Sequence, residues 1–366
     1  MKSLSLSETT KLLIAEYLKA TSDKRPLQSF STPKLSLRNT LRKSKDSLRR
    51  LSYQPSKYPT FLTQAKTGLV NNPPELCEEG TGGTYFLKNS QNASVAVFKP
   101  SNEGPLCPQN PKRNNNNDTF HFQGFVPGEE TKREVFAFLV DNHFAGVPET
   151  LMAEVSHWIF TDDKGISGTP NSMFRTKEGS MQQFVPDVQC SVDDMGCSKF
   201  SLEDVQRIAI LDMLLVNCDR NGGNILVQKN SCKLVPIDHA FCLPDYRHLS
   251  DLQWFEWLTW RQSRQTVLPE VIQFIDKFDV SEAVLKATKL GIRNECILTL
   301  QLAHAFLKHV LTTKPQLTLC EIAKLMCTRG SQPSVFANLV TRASFPSDNA
   351  TILRLFSQEL RKYFSS

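Results

Sequence analysis

The sequence lacks a run of about 20 apolar residues, the minimum for a membrane-spanning helix. Its longest apolar stretch near the middle, Ile208 to Val216, is short and is broken by Asp212. The N-terminal stretch Met1–Glu8 has neither the continuous apolar centre nor the small-residue cleavage site of a secretory signal. The ten cysteines include no Cys-x-x-Cys pair, and no pair of histidines completes a zinc site. Buried, reduced thiols in an intracellular protein are the simpler reading. Internal repeats are missing too, which excludes solenoids and propellers. A uniform charge is also lacking. The net +6 divides into 13 basic and 4 acidic residues over 1–57, or +9, and 30 basic and 33 acidic residues over the rest, or −3. That split excludes a uniformly basic nucleic-acid-binding domain, and no nucleic-acid partner is expected.

What is present is ordinary globular composition, 40% hydrophobic and 22% charged, in a chain of 366 residues. Residues 7–20 suit a short helix with Ser7 as N-cap. Residues 21–66 are Ser-rich, basic and poor in apolar anchors, and read as disordered. Thr84–Leu87 and Ala93–Phe98 read as a strand pair, 100–128 as loop, and Glu129–Asp141 as a helix. Leu151–Phe160 is expected to be a strand, followed by a turn-rich patch to Gly179. Ser201–Asn217 is the clearest helix, with Ser201 and Asp204 matching a capping box. Ile225–Gln228 and Lys233–Ile237 read as short strands, and helices are expected from about 266 onward.

Four segments carry candidate chemistry. Gly80, Gly82, Gly83 and Thr84 form a glycine-rich turn whose N–H groups can approach phosphate oxygens, although such turns are usually only turns. Lys99 ends an alternating strand and can bind phosphates as a point charge; a solvated strand-end lysine is the plainer alternative. Glu134 is its natural partner, with Glu129 and Glu130 as competitors. Asp219 and Asn224, five residues apart between an apolar helix and a strand, can supply a carboxylate for an attacking hydroxyl and an oxygen ligand for Mg²⁺. An Asx/Gly turn explains the same spacing. Asp238 follows the next strand, and a hairpin would bring it beside Asn224. The order glycine turn, strand Lys, helix Glu, Asp-x-x-x-x-Asn, strand-end Asp is that of protein-kinase-like folds.

The stretch Asp212-Met-Leu-Leu-Val-Asn-Cys-Asp-Arg-Asn-Gly-Gly-Asn-Ile-Leu-Val227, then Leu234-Val-Pro-Ile-Asp-His-Ala-Phe-Cys-Leu-Pro244, resembles the phosphatidylinositol 3-/4-kinase catalytic domain, and most of all the plant-type gamma phosphatidylinositol 4-kinases. Ala96–Pro100, Arg133–Val135, Phe144–Pro148, Gly179–Val185, Asp194–Gly196 and Phe255–Leu258 extend the likeness, which covers about 78–330. The resemblance implies an α+β bilobal fold with a strand-rich N-lobe and hinge over 76–190 and a helical C-lobe over 191–330. A basic arm would precede these over 1–66, and a linker and helix would follow over 331–366. It implies ATP and Mg²⁺, with Lys99 on the α- and β-phosphates and paired to Glu134. Residues 80–84, together with the loop 100–128, would cover the phosphates; Gln183, Phe184 and Val185 would lie beside adenine, Asp219 would act as base or orient the substrate hydroxyl, and Asn224 and Asp238 would hold the metal. Asn221 stands where the family usually carries a catalytic His; Asn can hydrogen-bond but cannot shuttle a proton near neutral pH. Ala240 replaces the usual Gly after Asp-His, which would restrict a left-handed backbone there. The first 70 residues are too basic to supply the ubiquitin-like domain of many gamma-type members.

The expected activity is therefore transfer of the ATP γ-phosphate to phosphatidylinositol in an anionic membrane, by a cytoplasmic protein peripheral at a membrane surface. An atypical protein serine/threonine kinase with a protein substrate is the first alternative. A weakly active pseudokinase scaffold, motivated by Asn221, is the second. Trp254, Trp257 and Trp260 suit a membrane interface or the packing of the C-lobe, with packing the plainer reading. The +9 arm would hold the protein to an anionic surface. Arg49-Arg50-Leu51-Ser52 would offer an upstream basophilic kinase a site whose phosphate removes about two charges; a chance match in a Ser/Arg-rich segment explains it equally.

Overall fold

The computed structural model describes residues 4–6, 59–105, 107–112, 122–160, 174–344 and 348–365. The helix expected over 7–20 and the Ser52 site lie outside the described residues.

Six strands form the first sheet: β1 (Leu4–Leu6), β2 (Glu75–Leu76), β3 (Tyr85–Lys88), β4 (Ser94–Pro100), β5 (Thr150–His157) and β6 (Arg175–Gln183). Their order is β1-β5-β6-β4-β3-β2, and each neighbouring pair is antiparallel. Two pieces of the expected disordered arm are ordered. Residues 4–6 pair with β5 at the sheet edge, and residues 60–66 belong to a helix, α1 (Thr60–Gly68). The arm's average composition hides the apolar residues Phe61, Leu62 and Ala65, which Leu69 joins just beyond it. These are buried against Leu87, Ala96, Phe98 and Met181 of the sheet.

β6 begins within the end of the patch expected to be turns, at Arg175. Its residues Arg175-Thr-Lys-Glu-Gly-Ser are polar, so no apolar alternation marks it. As a central strand it is kept by ladder pairing to both β4 and β5 and by polar partners, such as Ser156 and Thr176 hydroxyls 2.5 Å apart. Gly179 is required where β6 crosses β4, because a Cβ there would stand 2.1 Å from the Lys99 carbonyl oxygen.

The helix α2 (Glu130–Asp141) packs behind this sheet. Val135, Phe136, Ala137 and Leu139 are buried with the apolar residues of the second half of the chain. β6 runs on through 184–187 into a second, three-stranded antiparallel sheet, β7 (Val188–Ser191), β8 (Ile225–Gln228) and β9 (Leu234–Pro236). Between them lies α3 (Leu202–Leu215), almost wholly buried. Its N-cap is Ser201, whose hydroxyl accepts from Asp204 N–H at 3.0 Å. The reciprocal half of the expected capping box is absent from the hydrogen bonds of these two residues: Asp204 Oδ2 instead accepts from Leu234 N–H at 3.3 Å and ties the helix to β9.

The rest is helical: α4 (Pro269–Lys277), α5 (Val280–Leu290), α6 (Asn294–Thr313), α7 (Leu319–Met326), α8 (Val335–Ala343) and α9 (Asn349–Ser365). The stretch expected as a linker ahead of the C-terminal helix holds a helix of its own, α8, over Val335–Ala343. Phe336 of α8 and Phe356 of α9 meet edge to face at 5.9 Å, joining both helices to the C-lobe core. Thus the α+β bilobal arrangement is present, a strand-rich half over a helix-rich half with the 184–187 connection between them. No helix among the described residues is long and apolar enough to cross a membrane.

Candidate active site

β4 delivers Lys99 to the junction of the two halves. Its Nζ donates to Glu134 Oε1 at 2.5 Å and lies 3.1 Å from Asp238 Oδ1. The ambiguity between glutamates is resolved: Glu134 is buried at Lys99, whereas Glu129 turns the other way and accepts from Arg293 Nε at 3.0 Å. Glu130 lies against Gly104. Glu134 Oε2 also accepts from the His239 N–H at 3.1 Å, so one carboxylate joins β4, α2 and the segment after β9.

Asp238 follows β9 with φ of 54°, in the left-handed region that Asp tolerates better than most residues. Ala240 is absent from the left-handed residues, so the replacement of the family's Gly meets no backbone constraint there. The hairpin is as expected: Ile225 pairs with Pro236, and Ile237 N–H donates to Asn224 O at 3.0 Å, which places Asn224 beside Asp238. Asn224 Nδ2 donates to the Asp219 carbonyl at 2.8 Å and leaves its amide oxygen as an acceptor. Asn221 Nδ2 donates to Asp219 Oδ1 at 3.1 Å, a short tether on the carboxylate from an exposed side chain.

Burial raises the Asp219 carboxyl above the usual carboxylate range, and the neighbouring Asp238 adds to the rise. Burial acts on Asp238 in the same direction, but the Lys99 ammonium outweighs it and holds that carboxyl low. Glu134 is raised by burial despite Lys99. Burial works against the Lys99 ammonium, yet Asp238 and Glu134 together keep it charged. Two carboxylates, Glu134 and Asp238, therefore hold one ammonium, and the Asp219 carboxyl lies within electrostatic range of it. This excess of negative charge with hard oxygen donors fits Mg²⁺, which takes one or two carboxylates and completes its shell with substrate phosphates.

The glycine turn at 80–84 stands at the same end. Tyr85 pairs with Phe98, so Thr84 lies opposite Lys99 along the β3–β4 register. Gln183 closes β6 opposite Ala96; Phe184 N–H donates to Val95 O at 3.1 Å, and its ring meets Phe86 at 6.0 Å. Gln183 and Phe184 thus stand at the end of β6, where the chain passes with Val185 from the first sheet toward the second.

Sequence reasoning missed the support beneath the loop. Asp212, noted only as a break in an apolar run, is fully buried in α3 and accepts from Arg220 Nε at 3.0 Å, Asn217 Nδ2 at 3.0 Å and Trp257 Nε1 at 3.0 Å. Arg220 reaches on to the carbonyls of Asn224 at 2.5 Å and Ile237 at 2.7 Å, and to His239 Nε2 at 2.9 Å. One guanidinium therefore holds both the Asn224 and the Asp238 segments. The usable signal was a lone carboxylate inside an apolar helix, which must find a partner when buried. The tryptophans divide: Trp257 is buried in a short helical turn, Trp260 is buried at the extended residue that follows it, and Trp254 is 51% exposed.

Residues 80–299, more than half of the chain, match the family described as phosphatidylinositol 3- and 4-kinase. "Phosphatidylinositol 4-kinase gamma 4" of Arabidopsis thaliana is 36% identical over 307 residues, 77% of this chain and 52% of that protein. "Phosphatidylinositol 4-kinase gamma 6" of the same plant is 35% identical over 267 residues, 68% of this chain and 42% of that protein. The chain spans about half the length of these relatives. Among solved structures, that of a Helicobacter pylori proinflammatory kinase, CtkA, overlaps 69% of this chain and 93% of its own at 14% identity and a TM-score of 0.32.

Proposed function

Because the chain belongs to the phosphatidylinositol 3- and 4-kinase family, we propose that it transfers the γ-phosphate of Mg-bound ATP to a hydroxyl of the phosphatidylinositol headgroup. The observation that carries this reading is Lys99, held between Glu134 and Asp238 beside the Asp219 loop. Lys99 is the point charge for the phosphates, and Glu134 keeps it extended toward them. The glycine turn lies on the opposite side; Gly83 N–H is held by Glu103 O, so Gly80, Thr81, Gly82 and Thr84 are the residues whose N–H groups would meet phosphate, and Gln183, Phe184 and Val185 would border the adenine. Asn224 and Asp238 would hold Mg²⁺, which when bound neutralises charge on the β- and γ-phosphates.

Asp219 orients the acceptor hydroxyl and takes its proton as the new O–P bond forms and the bond from γ-phosphorus to the bridging oxygen breaks. Its raised pKa makes it a better base than an exposed carboxylate. Asn221 fixes the carboxylate by hydrogen bond and carries no proton itself. The test is incubation of the purified chain with γ-labelled ATP, Mg²⁺, phosphatidylinositol vesicles and a generic protein. Label in lipid is the expected result. Label in the protein instead, or in neither, overturns the lipid-kinase reading.

A further inference from the structure

The segment that follows Lys99 folds back onto the glycine turn. Ser101 N–H donates to Glu178 O on β6 at 2.8 Å, and from there the chain meets the turn residue by residue. Gly83 N–H donates to Glu103 O at 2.7 Å. Asn110 Nδ2 donates to Thr81 O at 2.8 Å, and Lys112 Nζ donates to the carbonyls of Glu79 and Gly80, the latter at 3.2 Å. Contact is close enough to dictate glycine: a Cβ on Gly83 would stand 2.6 Å from Glu103 Oε2 and 3.1 Å from Pro111 Cδ.

The root of this segment is buried inside the upper half. Glu103 is fully buried; its Oε2 accepts from Tyr85 Oη at 2.7 Å, and its Oε1 faces Lys177 Nζ at 3.5 Å. Lys177 Nζ also donates to Gln109 Oε1 at 2.5 Å. Tyr85 opens β3 and Lys177 sits in β6, so the ion pair anchors the segment to two strands of the sheet. A buried pair of this kind adds little net stability but is costly to break, which suits fixing one geometry.

A turn that offers N–H groups to phosphate binds more tightly when its backbone is already ordered, because the ordering cost does not fall on binding. We propose that residues 100–105 and 107–112 are a strap that pre-orders the glycine turn for ATP. Glu103, Asn110 and Lys112 are its positioning residues, and they act on ATP and not on the acceptor. The inference rests on the kinase reading above and adds a built-in support that the four candidate segments do not contain.

The test uses the whole chain, with Asn110→Ala plus Lys112→Ala combined, and Lys112→Arg as the conservative variant that keeps a cationic donor. MgATP affinity is measured by equilibrium titration, the KM values for ATP and for phosphatidylinositol by steady-state assay, and folding by thermal melting. The double variant is expected to melt near the wild type and to lose MgATP affinity roughly tenfold, the scale of one or two lost hydrogen bonds to an ordered turn. The KM for ATP should rise alongside, the KM for phosphatidylinositol should stay within about twofold, and Lys112→Arg should stay near the wild type. Unchanged MgATP affinity in the double variant, or a parallel rise in both KM values, overturns the strap. The kinase reading fails by a different result: a wild-type chain that binds MgATP and transfers phosphate to no acceptor. The titration still decides the strap in that case.

Discussion

Asp212 and Arg220 are the residues on which the Asp219–Asn224 loop rests. Both side chains are fully buried, and together they reach Asn217, Asn224, Ile237, His239 and Trp257. Substitution of one partner leaves the other charge buried and uncompensated. Asp212→Asn keeps the shape and is expected to cost about 3–5 kcal/mol of folding stability, read from urea denaturation. An unchanged midpoint with an unchanged slope would show that the pair does not support the loop. Residue by residue, the polar ends of the site were legible because each sits where an apolar run stops: Lys99 at the end of a strand, Asp219 past a buried helix, Asp238 after a second strand. Asp212 was not, because a carboxylate inside an apolar run looks like an interruption until Arg220 is seen beside it.

At the scale of elements, α2 is held from below. Arg293, just ahead of α6, donates through Nε to Glu129 Oε1 at 3.0 Å and through Nη2 to Gly124 O at 3.0 Å, and its Nη1 lies 3.7 Å from Asp245 Oδ2. Lys286 of α5 donates to Leu139 O at the other end of α2 at 3.2 Å. The helix is thereby set at the depth that lets Glu134 meet Lys99. Arg293 is partly exposed, so its ion pairs add only about 0.2–1 kcal/mol to stability. Arg293→Ala is expected to lower kcat several-fold with little change in melting temperature; retention of full kcat would show that α2 keeps its place without the clasp. The elements themselves were readable where apolar residues recur with a regular spacing between polar stops, as in α2, α3 and the β8–β9 hairpin. They were unreadable where pairing or long-range partners replace that period. β6 is polar yet central, since the ladder satisfies its backbone and Lys177 donates to Gln109 with the Glu103 carboxylate nearby. α1 and α8 are short, and their burial depends on partners far along the chain.

For the whole molecule, two apolar clusters meet at a polar seam. The smaller lies between α1 and the first sheet, and the larger runs from α2 to α9. Lys99 projects from the first, Asp219 and Asp238 from the second, and Glu134 lies on the helix between. The glycine turn with its strap closes the same end. The net charge of −3 outside the first 57 residues is in keeping with a body that gathers carboxylates around a cation and phosphates. The most direct test of this arrangement as a phosphoryl-transfer site is Asp238→Asn, measured for transfer of labelled γ-phosphate to phosphatidylinositol vesicles, with thermal melting as the check on folding. Transfer is expected to fall by on the order of a hundredfold or more while the variant still melts cooperatively. Transfer at the wild-type rate would contradict the assignment of the site.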